Sequence, residues 1–123
     1  MGPIAAVFDS NILIDYIVGR PQAAAELKRY SDKAISIITW MEVMAGTPEE
    51  EAHDMRAFLL QFQCLPISTS VAERAAALRR GRRLKLPDAV IQATAEVAGR
   101  LLITRNTRDF PTDDPGVRVP YRL

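Results

Sequence analysis

Residues 4–11 read IAAVFDSN, five apolar positions that run into an acid, a hydroxyl and an amide. The apolar run does not alternate with polar residues, so it predicts a strand covered on both faces, as in a parallel sheet with helices packed on each side. AISII (34–38), CLPIS (64–68) and LLIT (101–104) share that character, and VRVPY (117–121) reads as a weaker edge strand limited by Pro120. Helical patterns fill the intervals, over 11–18 and 22–31, 40–46 and 48–62, 70–84 and 87–98. Strands that alternate with helices predict right-handed βαβ units. The expectation is one α/β domain over residues 1–123, with a mostly parallel sheet of four to five strands flanked by helices on both sides.

Local punctuation agrees. Thr47 reads as a helix cap followed by Pro48 at the first helical position and by three acids in the first turn. Ser70 with Glu73 forms a capping box, and Gly99 stands where a helix end calls for a left-handed residue. Apolar residues make up 48% and charged residues 25%, the balance of a soluble globular protein. Lys plus Arg number 16 against 15 Asp plus Glu, so any contact with nucleic acid must come from local patches. A single cysteine, Cys64, excludes an internal disulfide and fits a reducing cytoplasm. The start MGPIAAVFDS has no basic segment before a long apolar run, and no window approaches the roughly 18 apolar residues of a membrane span. A cytoplasmic protein without membrane association is expected.

The informative signal is the placement of the fifteen acids. Glu49, Glu50, Glu51 and Asp54 belong to a helix start and its exposed face, and Asp113 and Asp114 to a turn. Asp15, Glu26, Asp32, Glu73 and Glu96 read as solvated helix faces, caps or loops. Asp9, Glu42, Asp88 and Asp109 remain, each where a buried strand gives way to a helix or loop. Singly, each has a capping explanation: Asp9 or Ser10 for the first helix, Thr39 with Glu42 as a capping box, Asp88 in a first turn, Asp109 in a short turn. Together they raise another possibility, because the C-terminal ends of parallel strands share one edge, where ligand crevices form.

Three carboxylates ~6 Å apart would repel by roughly 3 kcal/mol per pair at an effective dielectric of 20, about 8 in all. Helix N-termini return only about 0.3–1 kcal/mol each. Either the acids are partly protonated or a hard cation sits among them. His53 and Cys64 are isolated, so an all-oxygen site for Mg²⁺ or Mn²⁺ is expected. In it Asp9 would ligate the cation, while Ser10 and Asn11 cap the following helix and orient that carboxylate or a water.

These residues resemble the PIN-domain ribonucleases, and within them the VapC-type toxins of toxin-antitoxin pairs. The resemblance spans essentially the whole chain and rests on four pieces in order: Asp9-Ser10-Asn11, Glu42 with Gly46, Asp88 with Ile91 and Ala93, and Thr104-Arg105-Asn106-Thr107-Arg108-Asp109-Phe110. Ser10 replaces a commoner Thr, and Gln92 stands where a small apolar residue is more usual. The resemblance implies a metal-dependent endoribonuclease in which Asp9, Glu42 and Asp88 hold a first Mg²⁺ or Mn²⁺. Asp109 would complete a second site or bind through water, with Thr104 and Asn106 as supporting groups. It also implies an antitoxin that covers a groove and reaches toward the acids, and a toxin homodimer or a toxin-antitoxin hetero-oligomer.

Acids repel RNA unless compensated. Arg79, Arg80, Arg82, Arg83 and Lys85 lie just before Asp88, and Arg105 and Arg108 flank Asn106. Phosphate contact by some of these is expected, with a solvated helix face as the alternative. NILIDYIV and WMEVMAG are apolar nearly all round, and the core is expected to take Ile12, Leu13, Ile14, Ile17, Val43 and Met44, leaving Tyr16, Trp40 and Met41 for a shared surface. A phosphorylation receiver also gathers acids, but needs an Asp ending its central strand and a Lys after a later one, which CLPIST and LLITRN lack. An RNA-processing nuclease without an antitoxin and a catalytically silent scaffold remain as alternatives.

Overall fold

The structure is a computed structural model that describes residues 5–123; Ile4, the first residue of the expected first strand, lies outside the described residues. The chain order is β1 (Ala5–Phe8), α1 (Ser10–Ile17), α2 (Pro21–Lys28), β2 (Asp32–Ser36), α3 (Ile37–Ala45), a 3₁₀ turn (Glu49–Glu51), α4 (Ala52–Leu59), β3 (Gln63–Leu65), α5 (Thr69–Gly81), α6 (Leu86–Ala98), β4 (Leu101–Ile103) and β5 (Val117–Arg118). The five strands form one sheet in the order β3-β2-β1-β4-β5, and every pair is parallel.

Alternation along the strands divides the core. Val7, Ala34 and Leu102 pack on one face against α5 and α6, through Val71, Ala75, Leu78, Ala89 and Ile91. Ala6, Phe8, Ile35 and Ile103 pack on the other against α1 to α4, through Ile12, Leu13, Leu27, Val43 and Leu59. Phe8 meets Tyr30 and Phe62 edge-on, with ring centroids 5.5 and 6.0 Å apart. Each fully buried large side chain of this kind contributes ~1.5–3 kcal/mol by leaving water. Gly99 ends α6 at φ 65°, a left-handed conformation that a side chain would strain.

Several local expectations are corrected. β2 ends at Ser36, whose Oγ accepts from the Ile38 N–H, so α3 begins before Thr39. Packing of Ile38 on the core outweighs the strand preference of Ile37 and Ile38. Thr39 is therefore no cap, and its Oγ1 lies buried without a partner. Ser68, not Ser70, caps α5, and Pro48 precedes a 3₁₀ turn instead of opening α4 directly. β3 is an exposed edge strand and not a doubly covered one, since it pairs only with β2; Cys64 on it is exposed. Ile14 and Ile17 are not core: they are 47% and 42% exposed, because α1 turns Ile12, Leu13 and Asp15 inward instead. Tyr16 and Met41 are exposed as expected, Tyr16 stacking on Phe58 at 5.4 Å, whereas Trp40 is half-buried against the core.

Asp15 and Glu26 overturn the reading of solvated faces, each being only 4% exposed. Asp15 accepts from Arg105 Nε and Nη2 at 2.7 and 3.0 Å and from the Tyr121 hydroxyl at 2.8 Å. Glu26 accepts from Arg118 Nε and Nη2 at 2.8 and 3.1 Å and from the Tyr30 hydroxyl at 2.7 Å. Burial alone would raise both carboxyls, but these donors outweigh it and hold both below their ordinary values. No described helix is long and apolar enough to cross a membrane.

Candidate active site

β1 is the centre of the sheet, with β2 on one side and β4 on the other, so the direction of winding changes beside it. Such a switch point opens a crevice at the C-terminal ends of the strands. Asp9 emerges there from β1, and its N–H donates to the Ile103 carbonyl of β4 at 2.9 Å. Its side chain is 5% exposed. Oδ1 accepts from the Ser10 N–H at 2.8 Å, which makes Asp9 itself the cap of α1; Oδ2 accepts from Thr104 Oγ1 at 2.7 Å and Asn11 Nδ2 at 3.2 Å. Burial pushes the Asp9 carboxyl up, these hydrogen bonds pull against it, and the nearby Glu42 raises it again.

Ser10 does not cap the helix with its hydroxyl: Ser10 Oγ donates to Glu42 Oε1, joining α1 to the last turn of α3. Asn11 does orient Asp9, and its Nδ2 also reaches Thr104 Oγ1 at 3.3 Å while its Oδ1 accepts from the Arg105 N–H at 3.1 Å. Asp88 lies half-buried in the first turn of α6. Its carboxyl is pushed up to about 6 by burial and then by the charges of Asp9, Asp109 and Glu42, with Lys85 opposing. Asp109 does not cap a turn as expected; Asn106 does, accepting from the Asp109 N–H at 3.2 Å and donating to Asp109 Oδ2 at 2.9 Å.

Four carboxylates thus act on one another across a single edge, and among the described residues none of the four is paired with Lys, Arg or His. They do not close on a point: among the described residues no three Asp, Glu, His or Cys side chains form a ready-made metal-ligating group.

The basic residues divide in two. Arg105 is committed to Asp15, and Arg79 Nη1 donates to the Leu84 carbonyl at 2.9 Å. Arg82 Nη1 donates to Gln92 Oε1 at 3.0 Å, and Nη2 to the Asp109 carbonyl. Gln92 is 3% exposed, so the polar residue in the otherwise apolar face of α6 exists to receive this guanidinium. Among the described residues the side chains of Arg83, Lys85 and Arg108 form no ion pair or hydrogen bond. They line open cavities beside the acids: one of about 310 Å³ between Arg83, Arg108 and Asp109, another of about 470 Å³ between Asn11, Lys85, Asn106 and Arg108. Sequence reasoning missed Asp15, Tyr121 and the internal role of Arg82; the one signal available was Gln92, a lone amide in an apolar run.

A parallel sheet wound in this order with acids at its switch point defines a PIN-like fold, and the PIN domain family model matches residues 6–112. The chain belongs to the PIN domain family. Ribonuclease VapC19 of Mycobacterium tuberculosis is 31% identical over 124 residues, covering 94% of this chain and 98% of the relative; ribonuclease VapC10 of the same species is 32% identical over 111 residues, 84% of each. Among solved structures, a chain of a toxin-antitoxin complex from Klebsiella pneumoniae superposes with a TM-score of 0.91 at 47% identity, covering 97% of this chain and all of that one. A chain of DNA-bound VapBC from Salmonella typhimurium superposes at 0.76 with 27% identity, covering 94% and 96%.

Proposed function

We propose that this protein is a metal-dependent endoribonuclease that hydrolyses RNA phosphodiesters in the cytoplasm, as the toxin of a toxin-antitoxin pair. The observation that carries the reading is the Asp88 carboxyl, burdened by three other acids with no basic side chain paired to any of them. The ribonuclease relatives and the toxin-antitoxin complexes support it.

The donor set fits Mg²⁺ or Mn²⁺, being all carboxylate oxygen with one member buried and unpaired. Asp9, Glu42 and Asp88 would hold the ion, and Asp109 would complete a second site or bind through water. One or two such ions would acidify water and offset charge on the phosphate during in-line displacement. Asn11 and Thr104 hold Asp9 Oδ2 in place and the Ser10 N–H holds Oδ1, the Ser10 hydroxyl aims Glu42, and Asn106 aims Asp109. Arg83, Lys85 and Arg108 are free to meet RNA phosphates.

The exposed Ile14, Tyr16, Ile17 and Met41 make an apolar surface on α1 and α3 that suits protein contact, with an antitoxin and with a second toxin chain. The deciding experiment incubates the purified protein with cellular RNA in Mg²⁺, in Mn²⁺ and in chelator, beside Asp9→Asn and Asp88→Asn. Cleavage that needs the cation and both acids supports the reading; cleavage that survives both substitutions overturns it.

A further inference from the structure

We propose that Asp15, Arg105 and Tyr121 form a clamp that positions the Asn11 amide and, through it, the Asp9 carboxylate, so that residues touching neither cation nor RNA set how well the cation is held. The inference rests on the assignment of Asp9 as a cation ligand above.

Asp15 sits one helical turn beyond Asn11 on α1 and is 4% exposed. A carboxylate buried that deeply requires donors, and it has three, two from Arg105 and one from Tyr121. Arg105 therefore grips α1 at two points a turn apart: its guanidinium holds Asp15, and its main-chain N–H holds Asn11 Oδ1 at 3.1 Å. A main-chain N–H can only donate, so the atom facing it must be the amide oxygen. That fixes which way the amide is turned, and Nδ2 is left facing Asp9 Oδ2 at 3.2 Å and Thr104 Oγ1 at 3.3 Å.

The arrangement links three distant parts of the chain. Tyr121 lies 106 positions from Asp15, and Arg105 lies 90 positions from it. Thr104, the neighbour of Arg105, donates to the same Asp9 oxygen that Asn11 does, and the Asn106 N–H donates to Thr104 Oγ1 at 3.0 Å. Rotation of the Arg105 main chain would disturb all of these bonds together. The bidentate fork suits this task because it fixes orientation as well as distance, which a Lys ammonium cannot do.

The test uses the full chain with Tyr121→Phe, which removes one donor and keeps the ring, and Arg105→Lys, which keeps the charge and loses the fork; Asp15→Asn is made as well but is the variant most prone to misfolding. Mn²⁺ affinity is read by electron paramagnetic resonance, the Asn11 side-chain amide by its ¹H–¹⁵N signals, and folding by the melting temperature. Arg105→Lys is expected to shift the Asn11 signals and to weaken Mn²⁺ binding by about tenfold, with Tyr121→Phe acting the same way by a smaller factor. In RNA cleavage both should lower kcat while leaving KM near the wild-type value. A fall in melting temperature with unchanged Asn11 signals and unchanged Mn²⁺ affinity would reduce the trio to a structural staple and overturn the clamp. Wild-type protein that takes up no Mn²⁺ would defeat the assignment of Asp9 as a ligand, and the Asn11 signals of the variants would then decide the positioning claim by themselves.

Discussion

Thr104 and Asp9, 95 positions apart in the chain, meet in a 2.7 Å hydrogen bond inside the protein. The bond exists because β4 docks beside β1 with Phe8 opposite Ile103, which brings the residue after each strand to the same edge. It also carries a measurable share of stability. Thr104→Val keeps the shape and removes the donor, so in chelator it should lower unfolding free energy by ~1.5–3 kcal/mol, the range for a hydrogen bond to a charged group. Urea titration of the two proteins measures this.

Arg82 and Arg83 are adjacent in sequence and differ in task. Arg82→Ala strips a donor from the buried Gln92 amide and from the Asp109 carbonyl, and should cost ~1–3 kcal/mol in stability. Arg83→Ala should leave stability within ~0.5 kcal/mol, weaken RNA binding and reduce the salt slope by about one. Denaturant curves and RNA affinities measured at several salt concentrations separate the two.

Without divalent cations, stability should decline from mildly acid to neutral pH. The Asp88 carboxyl rises from 3.8 to about 6 on folding, so its favourable contribution is complete below the unfolded value and is lost as pH climbs through about 6. Asp9, also raised, acts in the same direction. Asp15 and Glu26 are lowered and act oppositely, contributing above their unfolded values and failing only in stronger acid. Urea midpoints in chelator between about pH 5 and 7 should fall for the wild type and fall less steeply for Asp88→Asn, in which Asp9 still contributes.

Cation binding should reverse that decline. An ion that binds the folded state alone adds ~2.7 kcal/mol at a hundred times its Kd, so Mn²⁺ should raise the melting temperature of the wild type and hardly affect Asp9→Asn. Identical melting in chelator and in excess Mn²⁺ would tell against the site.

What the sequence disclosed was what neighbouring residues decide. The apolar strand before Asp9 and the Gly after α6 carry their own signals, and both stand where expected. The caps of α3 and α5 were misplaced by three and two residues, because Thr39 and Ser70 are as good cap formers as Ser36 and Ser68, and only packing chooses between them. Asp15 and Glu26 were illegible for a different reason. Their partners Arg105 and Arg118 lie 90 and 92 positions away, and a carboxylate on a short helix looks the same whether it will face water or a guanidinium. Arg82 was misjudged likewise, since its acceptors, Gln92 and the Asp109 carbonyl, lie 10 and 27 positions further along the chain.

The place of β1 at the middle of the sheet has a temporal meaning. During synthesis Asp9 leaves the ribosome well before Asp88, Thr104 and Asp109, which lie 79, 95 and 100 positions further along the chain. A nascent chain carries Asp9 and Glu42 long before it carries Asp88 and Asp109, and β4 must slide in beside the older β1 to complete the edge. Until that last docking is done, Asp9 lacks the Thr104 hydroxyl that holds its carboxylate.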